Sequence, residues 1–300
     1  MAADATDNRT LRTARWTPYL LSLPGLLCLY LFFLVPLVTL LKIALSVRVE
    51  RGSSRVDFSW EWDNFSRAFT DFGSQLWRAF AYAGIATALC IVIAYPLAYF
   101  IAFKAGRWRN LLLGLVMVPF FTSFLLRTIA WQSLLADNGP VLSTARSFNL
   151  VGVLDFLQVS TDGQIMNTST AVIGGLTYNF LPFALLPIYV SLEKIQTNLI
   201  DAASDLYSSF GRTFRKVIFP LSLPGVFAGT LLTFIPASGD FINAHLLGDV
   251  RKPVIGGVIQ ARFLQSGDYP TAAAISLVLM AMITAAVLVY ARFLGTEDIA

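Results

Sequence analysis

The stretch LIDAASDLYSSFGRTFRKVIFPLSLPG, residues 199–225, lies between two long apolar runs. Its first part has apolar residues at spacings of three and four, so they share one helix face: Ile200, Ala203, Leu206 and Tyr207. Asp201 and Asp205 stand in this first part and basic residues follow it, a charge order that suits the helix dipole. The pattern predicts a short amphipathic helix and a second, basic piece, exposed on a membrane protein and available to a partner.

The composition of the chain indicates a membrane protein. Of its 300 residues 56% are hydrophobic and 13% are charged, whereas a soluble protein carries about 25% charged residues. A membrane-spanning helix needs roughly 20 apolar residues. Six runs approach this length, and they predict an all-α membrane protein with about six transmembrane helices: residues 19–41, 79–103, 111–136, 167–193, 217–239 and 269–291.

An even number of spans places both termini on the same side of the membrane. Lys and Arg divide equally between the two sides, but the dense basic groups at 104–109 and 212–216 favour cytoplasmic termini. We expect a tail over 1–17, a first transmembrane helix over 18–46 and an external loop with interfacial helices over 47–77. A core domain with five further spans follows over 78–295, and residues 296–300 form a second tail.

Catalytic and metal-binding motifs are absent from the sequence. There is no G-x-x-x-x-G-K-[ST] loop for ATP and no H-E-x-x-H zinc motif, and the single histidine, His245, excludes a multi-histidine metal site. Ser238 lies near His245 but lacks the surroundings of a serine protease site. The net charge of +4 includes no basic cluster dense enough for nucleic acid. We therefore expect neither an enzyme nor a cofactor bound by this chain.

Two charged residues in apolar surroundings are candidates for a solute path. Arg127 interrupts the third run, and Asp240 ends the fifth beside Gly239 and Phe241. Such charges normally face a partner or water, because burying one in the bilayer costs about 2.5–3.5 kcal/mol or more. Asp240 is either a carboxylate of a cation path, an interfacial residue, or a structural partner of Arg127. Four aromatic residues either line a cation-attracting pocket or only pack against lipid and neighbouring helices: Phe120, Phe121, Trp131 and Tyr178.

The opening stretch resembles the EAA loop of ABC importer permeases. Asp201-Ala202-Ala203 stands for E-A-A, Val217 and Phe219 stand for the Ile and Leu of I-x-L-P, and Pro220 matches its proline. Tyr207 occupies the position of the family glycine, which supplies a positive φ that tyrosine resists. We therefore expect either a turn displaced toward residues 208–211 or an altered docking geometry.

Three further stretches are similar to spermidine/putrescine-type permeases, so that the resemblance covers residues 74–295. They are PFFTSFLLRTIAW (119–131), LTYNFLPFALLPIYVSLEKI (176–195) and SGDFINAHLLG (238–248). Permeases for ferric iron and other solutes share much of this pattern. The solute could therefore also be ferric iron, another cation or an amino acid. Two alternatives from other classes of protein are an ATP-independent carrier and a membrane enzyme.

The resemblance implies a type I ABC importer permease fold in a prokaryotic inner membrane. It implies a second permease, two ATP-binding cassette subunits that hold ATP and Mg²⁺, an extracytoplasmic solute-binding protein and membrane lipid as partners. The loop would dock on an ATPase through Asp201, Ala202, Ala203, Asp205, Leu206, Tyr207, Arg212 and Phe214. The expected path residues are Asp240, Phe241, Tyr178, Trp131, Phe121 and Arg127.

Overall fold

A computed structural model describes residues 21–49, 55–148, 152, 163–249 and 251–294, which are mostly helical. A small antiparallel sheet pairs β1 (Ser46–Arg48) with β2 (Val56–Phe58), with Val47 opposite Asp57. The helices named below are α1 (Leu21–Ala44), α2 (Asp63–Thr70), α3 (Gly73–Phe103), α4 (Arg109–Met117), α5 (Phe124–Leu135), α6 (Pro140–Ser147), α7 (Ser169–Glu193), α8 (Thr197–Asp205), α9 (Phe210–Ser238), α10 (Ile242–Leu247), α11 (Ile255–Gln260) and α12 (Tyr269–Leu294).

Five of these helices, α1, α3, α7, α9 and α12, are long and apolar enough to cross a membrane. The third predicted span, 111–136, is not one helix. The segments Gly106–Phe121 and Phe124–Ser147 meet at a bend of 94°. Pro119 lacks a backbone N–H and lies in a short 3₁₀ turn, after which Thr122 and Ser123 are extended. The third run is therefore a bent pair of helices.

Several predicted boundaries also differ. The first helix ends at Ala44 instead of residue 46, since Ser46 already begins β1. Asn64 on α2 fixes this end by donating to the carbonyl oxygens of Ala44 and Ser46, at 2.9 and 3.1 Å. The predicted external loop 47–77 thus contains most of a hairpin and one short helix, and α3 begins at Gly73. The connection between the fifth and sixth predicted spans contains α11 and a π-helical turn, Ala261–Gln265.

The core of the bundle is formed by α3, α7 and α9. Small residues on α3 repeat every three or four positions and are completely buried, which lets neighbouring backbones approach closely. On α9, a Cβ atom added at Gly225 would lie 2.5 Å from the carbonyl oxygen of Pro187 on α7. The small residues of α3 are Ala83, Ala86, Cys90, Ala94 and Ala98.

Two of the long helices contain a π-helical turn just before a proline. Tyr30–Leu34 precedes Pro36 in α1, and Phe214–Ile218 precedes Pro220 in α9. A proline ring clashes with the carbonyl of the preceding turn and removes one hydrogen bond. A widened turn makes room for the ring, but the hydrogen bond stays missing. The start of α9, next to α8, therefore has an interrupted hydrogen-bond ladder.

Candidate functional site

The stretch 199–225 forms a helix–turn–helix, which contains the short helix and the basic second piece predicted from the sequence. Helix α8 ends at Asp205, and the N–H of Ser208 then reaches back to the carbonyl oxygen of Ala203 at 3.0 Å. This is the long bond of a Schellman motif, in which the residue before the donor adopts the left-handed conformation. That residue is Tyr207, with φ of +55°.

Tyr207 corrects the expectation of a displaced turn. Gly211 lies inside α9, and the turn stays where the family pattern has its glycine. The tyrosine itself adopts the left-handed conformation, at a cost of roughly 1–2 kcal/mol for a residue with a Cβ atom. Its side chain is 97% exposed, so no packing within the described chain offsets this cost.

The tip of the helix–turn–helix is an exposed apolar surface. Leu206 is 83% exposed and Phe210, which begins α9, is 68% exposed. Asp201, Ala202, Asp205 and Arg212 are exposed around them, and Ala203 is half-buried. Apolar side chains rimmed by charge are typical of a protein-binding surface. We call Leu206, Tyr207 and Phe210 the tip residues.

Phe214 does not belong to this exposed surface. Its ring packs edge-on against Tyr95 and Tyr99 of α3, with centroids 5.8 and 6.1 Å apart. Tyr99 also contacts Phe210, at 6.3 Å. Phe214 therefore attaches the start of α9 to α3 instead of extending the exposed face.

A second contact holds the helix that leads into α8. Arg109, the first residue of α4, forms an ion pair with Glu193, the last residue of α7. The same guanidinium donates to the hydroxyl of Tyr189 and lies 5.2 Å from the centre of its ring. The entry to the helix–turn–helix is thus attached to α4.

Asp240 lies just beyond α9 and is partly buried. Its two carboxylate oxygens accept hydrogen bonds from Asn243: Oδ1 from the backbone N–H at 2.8 Å and Oδ2 from the side-chain amide at 3.1 Å. Burial raises the pKa of the Asp240 carboxyl above its usual range, and the bonds from Asn243 oppose this shift. Among the described residues, Asp240 forms no ion pair with Arg127, so the predicted structural pairing is wrong.

The other predicted path residues fall into separate groups. Arg127 lies 5.5 Å from the ring of Phe120 and 5.7 Å from that of Phe124, and its Nε is buried without a hydrogen-bond partner in the part described. Trp131 stacks on Tyr178, with centroids 5.4 Å apart. Phe121 is 86% exposed, and Phe241 is partly exposed beside Asp240.

Three neutral polar residues near this region had no role in the sequence-based prediction. Thr128, Asn179 and Asn243 are fully buried and hydrogen-bonded to one another. The sequence search for polar groups in apolar runs considered charged residues, and these three are uncharged. Asn179 within an apolar helix was a usable signal, because a buried amide needs hydrogen-bond partners.

Comparison with known proteins gives the family. The family described as "Binding-protein-dependent transport system inner membrane component" matches residues 91–295. The spermidine/putrescine transport system permease protein PotB of Haemophilus influenzae is 36% identical over 88% of this chain and 90% of its own length. PotB of Escherichia coli K12 is 36% identical over 91% of this chain and 95% of its own.

Solved structures with a similar fold are ABC transporters. One chain of a bacterial transporter that imports the acidic polysaccharide alginate superposes with a TM-score of 0.67 at 16% identity, covering 97% of this chain and all of its own. A chain of the inward-facing MetNI methionine transporter gives a TM-score of 0.53 at 17% identity over 73% of this chain and 93% of its own. With several apolar helices and these matches, the chain is a multi-pass inner-membrane protein with the type I importer permease fold, and it belongs to the family of binding-protein-dependent transport system inner membrane components.

Proposed function

We infer that this chain is the permease subunit of an ATP-driven importer of polyamines, with spermidine and putrescine as solutes. The observation that carries the proposal is the exposed apolar tip formed by Leu206, Tyr207 and Phe210, on a chain 36% identical to spermidine/putrescine permeases. The chain has no nucleotide-binding loop. In this proposal two cytoplasmic ATPase subunits hold ATP and Mg²⁺, and the tip residues dock on one of them.

The contacts around the tip suggest how movement of an ATPase would reach the bundle. Force on the tip passes through Phe210 and Phe214 to Tyr99 of α3. The π-helical turn at the start of α9 is a point of low rigidity, since its ladder is interrupted there. In this scheme α8 tilts as one piece, the core helices follow, and the path opens alternately to the two sides with no chemistry on the solute.

A second permease would complete the path, and a solute-binding protein would deliver the polyamine from the opposite side. The tip then faces the cytoplasm, and so do both termini. Protonated amines prefer carboxylates and aromatic faces. Asp240 with Phe241, together with the stacked pair of Trp131 and Tyr178, offers both.

The direct test is solute-dependent ATP hydrolysis and uptake by the complete complex in proteoliposomes. The panel contains polyamines, metal ions and amino acids, each offered with its cognate binding protein. We expect stimulation by spermidine and putrescine. Stimulation by ferric iron or an amino acid alone would assign another solute, and uptake without ATP would refute the importer.

The docking role of α8 is tested with Asp201→Arg. Asp201 is exposed at the middle of α8, so its charge is available to a partner. We expect the variant to insert normally but to lose the coupling of ATP hydrolysis to uptake. Asp71→Arg, at an exposed acidic residue of α2's C-terminus, is the matched control. Normal uptake by Asp201→Arg would refute the docking role of Asp201.

The path role of Asp240 is tested with Asp240→Asn, which keeps the shape and removes the charge. We expect spermidine uptake to fall while the amount of assembled complex stays normal. Uptake at the level of the unmodified protein would make Asp240 a structural residue only.

A further inference from the structure

Asn243 contacts the Asp240 carboxylate through both of its oxygens. Asn243 donates from its backbone N–H to Oδ1 and from its side-chain amide to Oδ2. An ionised carboxylate only accepts hydrogen bonds. The amide of Asn243 must therefore turn its Nδ2 toward Asp240, which leaves its Oδ1 pointing to the other side.

The orientation of the Asn243 amide also determines the hydrogen bonds of two further buried residues, Asn179 and Thr128. Asn243 Oδ1 lies 3.1 Å from Asn179 Nδ2 and 3.4 Å from the hydroxyl oxygen of Thr128. The amide of Asn179 also donates to Thr128, at 3.2 Å. Asn179 can do this only with Nδ2 on that side. The orientation that begins at Asp240 thus fixes the amides on α10 and α7 and reaches α5. We call Thr128, Asn179 and Asn243 the amide relay.

The relay ends in an atom that the described chain does not satisfy. Asn179 Oδ1 is buried and has no hydrogen-bond partner among the described residues. Reversing the Asn179 amide would satisfy this oxygen but would place two acceptors against each other at Asn243. The orientation of the Asn179 amide is therefore set by its contacts with Asn243 and Thr128.

Glycines keep the Asp240 segment in close contact with its neighbours. A Cβ atom at Gly175 on α7 would lie 2.8 Å from Asn243 Oδ1. A Cβ atom at Gly256 on α11 would lie 2.8 Å from the carbonyl oxygen of Gly239 and 3.3 Å from the carbonyl carbon of Asp240. The segment is thus enclosed closely on two sides, and among the described residues Asn243 is the polar side chain that holds the carboxylate.

We propose that Asn243 is a positioning residue for transport, which the amide relay locks in place so that the Asp240 carboxylate meets the cationic solute in one fixed orientation. This rests on the proposed function, because Asp240 is there the group that faces the polyamine. A carboxylate that is already fixed spares the solute the entropy of ordering it, and the surrounding hydrogen bonds determine how well it is fixed.

The test measures spermidine molecules taken up per ATP hydrolysed, in proteoliposomes with the complete complex and saturating loaded binding protein. Loss of assembled protein lowers uptake and hydrolysis together and leaves this ratio unchanged, whereas a misplaced carboxylate lowers the ratio. We expect Asn243→Ala to lower the ratio roughly three- to ten-fold. This factor corresponds to the cost of ordering one side chain, here that of Asp240, when the solute binds. In an Asp240→Asn background, Asn243→Ala should cause no further loss.

Thr128 supplies a milder variant that preserves shape. Thr128→Val should lower the ratio by a smaller factor. Thr128→Ser should keep the ratio of the unmodified protein, since serine keeps the hydroxyl. Thr233→Val is the matched control, because Thr233 is equally buried but its hydroxyl contacts no member of the relay. It should leave the ratio unchanged.

The outcomes separate this inference from the proposed function. An unchanged ratio in both Asn243→Ala and Thr128→Val overturns the positioning role, and so does an equal loss with and without Asp240. If Asp240→Asn itself leaves the ratio unchanged, the path role of Asp240 fails and the positioning role fails with it. Absence of spermidine uptake by the unmodified complex refutes the solute assignment alone.

Discussion

Replacing Tyr207 by glycine should make the turn between α8 and α9 more resistant to local opening. Tyr207 has φ of +55°, a conformation that costs roughly 1–2 kcal/mol for a residue with a Cβ atom. Glycine removes this cost but loses about 0.5–1 kcal/mol through its greater freedom when unfolded. The net gain is about 0.5–1 kcal/mol, because the 97% exposed ring contributes no packing within the chain.

The assay is amide hydrogen exchange at the turn in the purified permease, which reports local opening. The expected gain slows exchange about two- to five-fold in Tyr207→Gly. Tyr207→Ala is the matched control: it also lacks the ring but keeps the Cβ atom, so its exchange should match that of the unmodified protein. Equal protection in the glycine and alanine variants would refute the assignment of strain to this residue.

The same two variants separate strain from docking. Both remove the tyrosine ring, and an aromatic side chain that becomes buried contributes about 1.5–3 kcal/mol. If the ring enters a groove on the ATPase, both variants should bind the ATPase subunit at least ten-fold more weakly, in spite of the stiffer turn of the glycine variant. Unchanged affinity in both would show that Tyr207 remains exposed in the complex.

Further predictions concern contacts within the bundle. Gly225→Ala should destabilise the protein by about 1–3 kcal/mol, because the added Cβ atom would lie 2.5 Å from the carbonyl oxygen of Pro187. Gly84→Ala is the control, since a Cβ atom at Gly84 has no neighbour within 4 Å. The two variants are compared by thermal unfolding in detergent. Equal unfolding temperatures would contradict the close α7–α9 approach. The partly exposed pair of Arg109 and Glu193 should show a coupling free energy of at most about 1 kcal/mol in a double-mutant cycle, and a much larger value would contradict this.

The helical segments could be predicted from hydropathy because length and absence of charge suffice for a membrane span. The bend in the third run could not, since hydropathy treats Pro119 and the following Thr122 and Ser123 as parts of one apolar window. The backbone at Thr122 and Ser123 is extended, which reflects hydrogen bonding and not transfer free energy. Pro119 was nevertheless a visible indication of the break.

The candidate site could also be predicted only in part, both at the turn between α8 and α9 and around Asp240. The turn at Tyr207 could be located from residue spacing, but not the fact that a tyrosine would adopt the left-handed conformation there, because only the surrounding hydrogen bonds enforce it. Phe214 was assigned to the docking face because it stands in the motif, yet its contacts are with Tyr95 and Tyr99. The relay of Thr128, Asn179 and Asn243 joins residues far apart in sequence, which a search along the chain does not bring together.

The first helix has a consequence for how the chain is made. No residue of its hydrophobic window is fully buried within the described chain, and its C-terminal half, including Ala44, packs against Ala273, Ala274 and Leu277 of α12. These partners leave the ribosome more than two hundred residues after Ala44. Until then α1 contacts the early chain near its C-terminal end, through Asn64, and the rest of its apolar surface faces lipid or another protein. Synthesis that stops before α12 should therefore leave α1 inserted but unattached to the bundle.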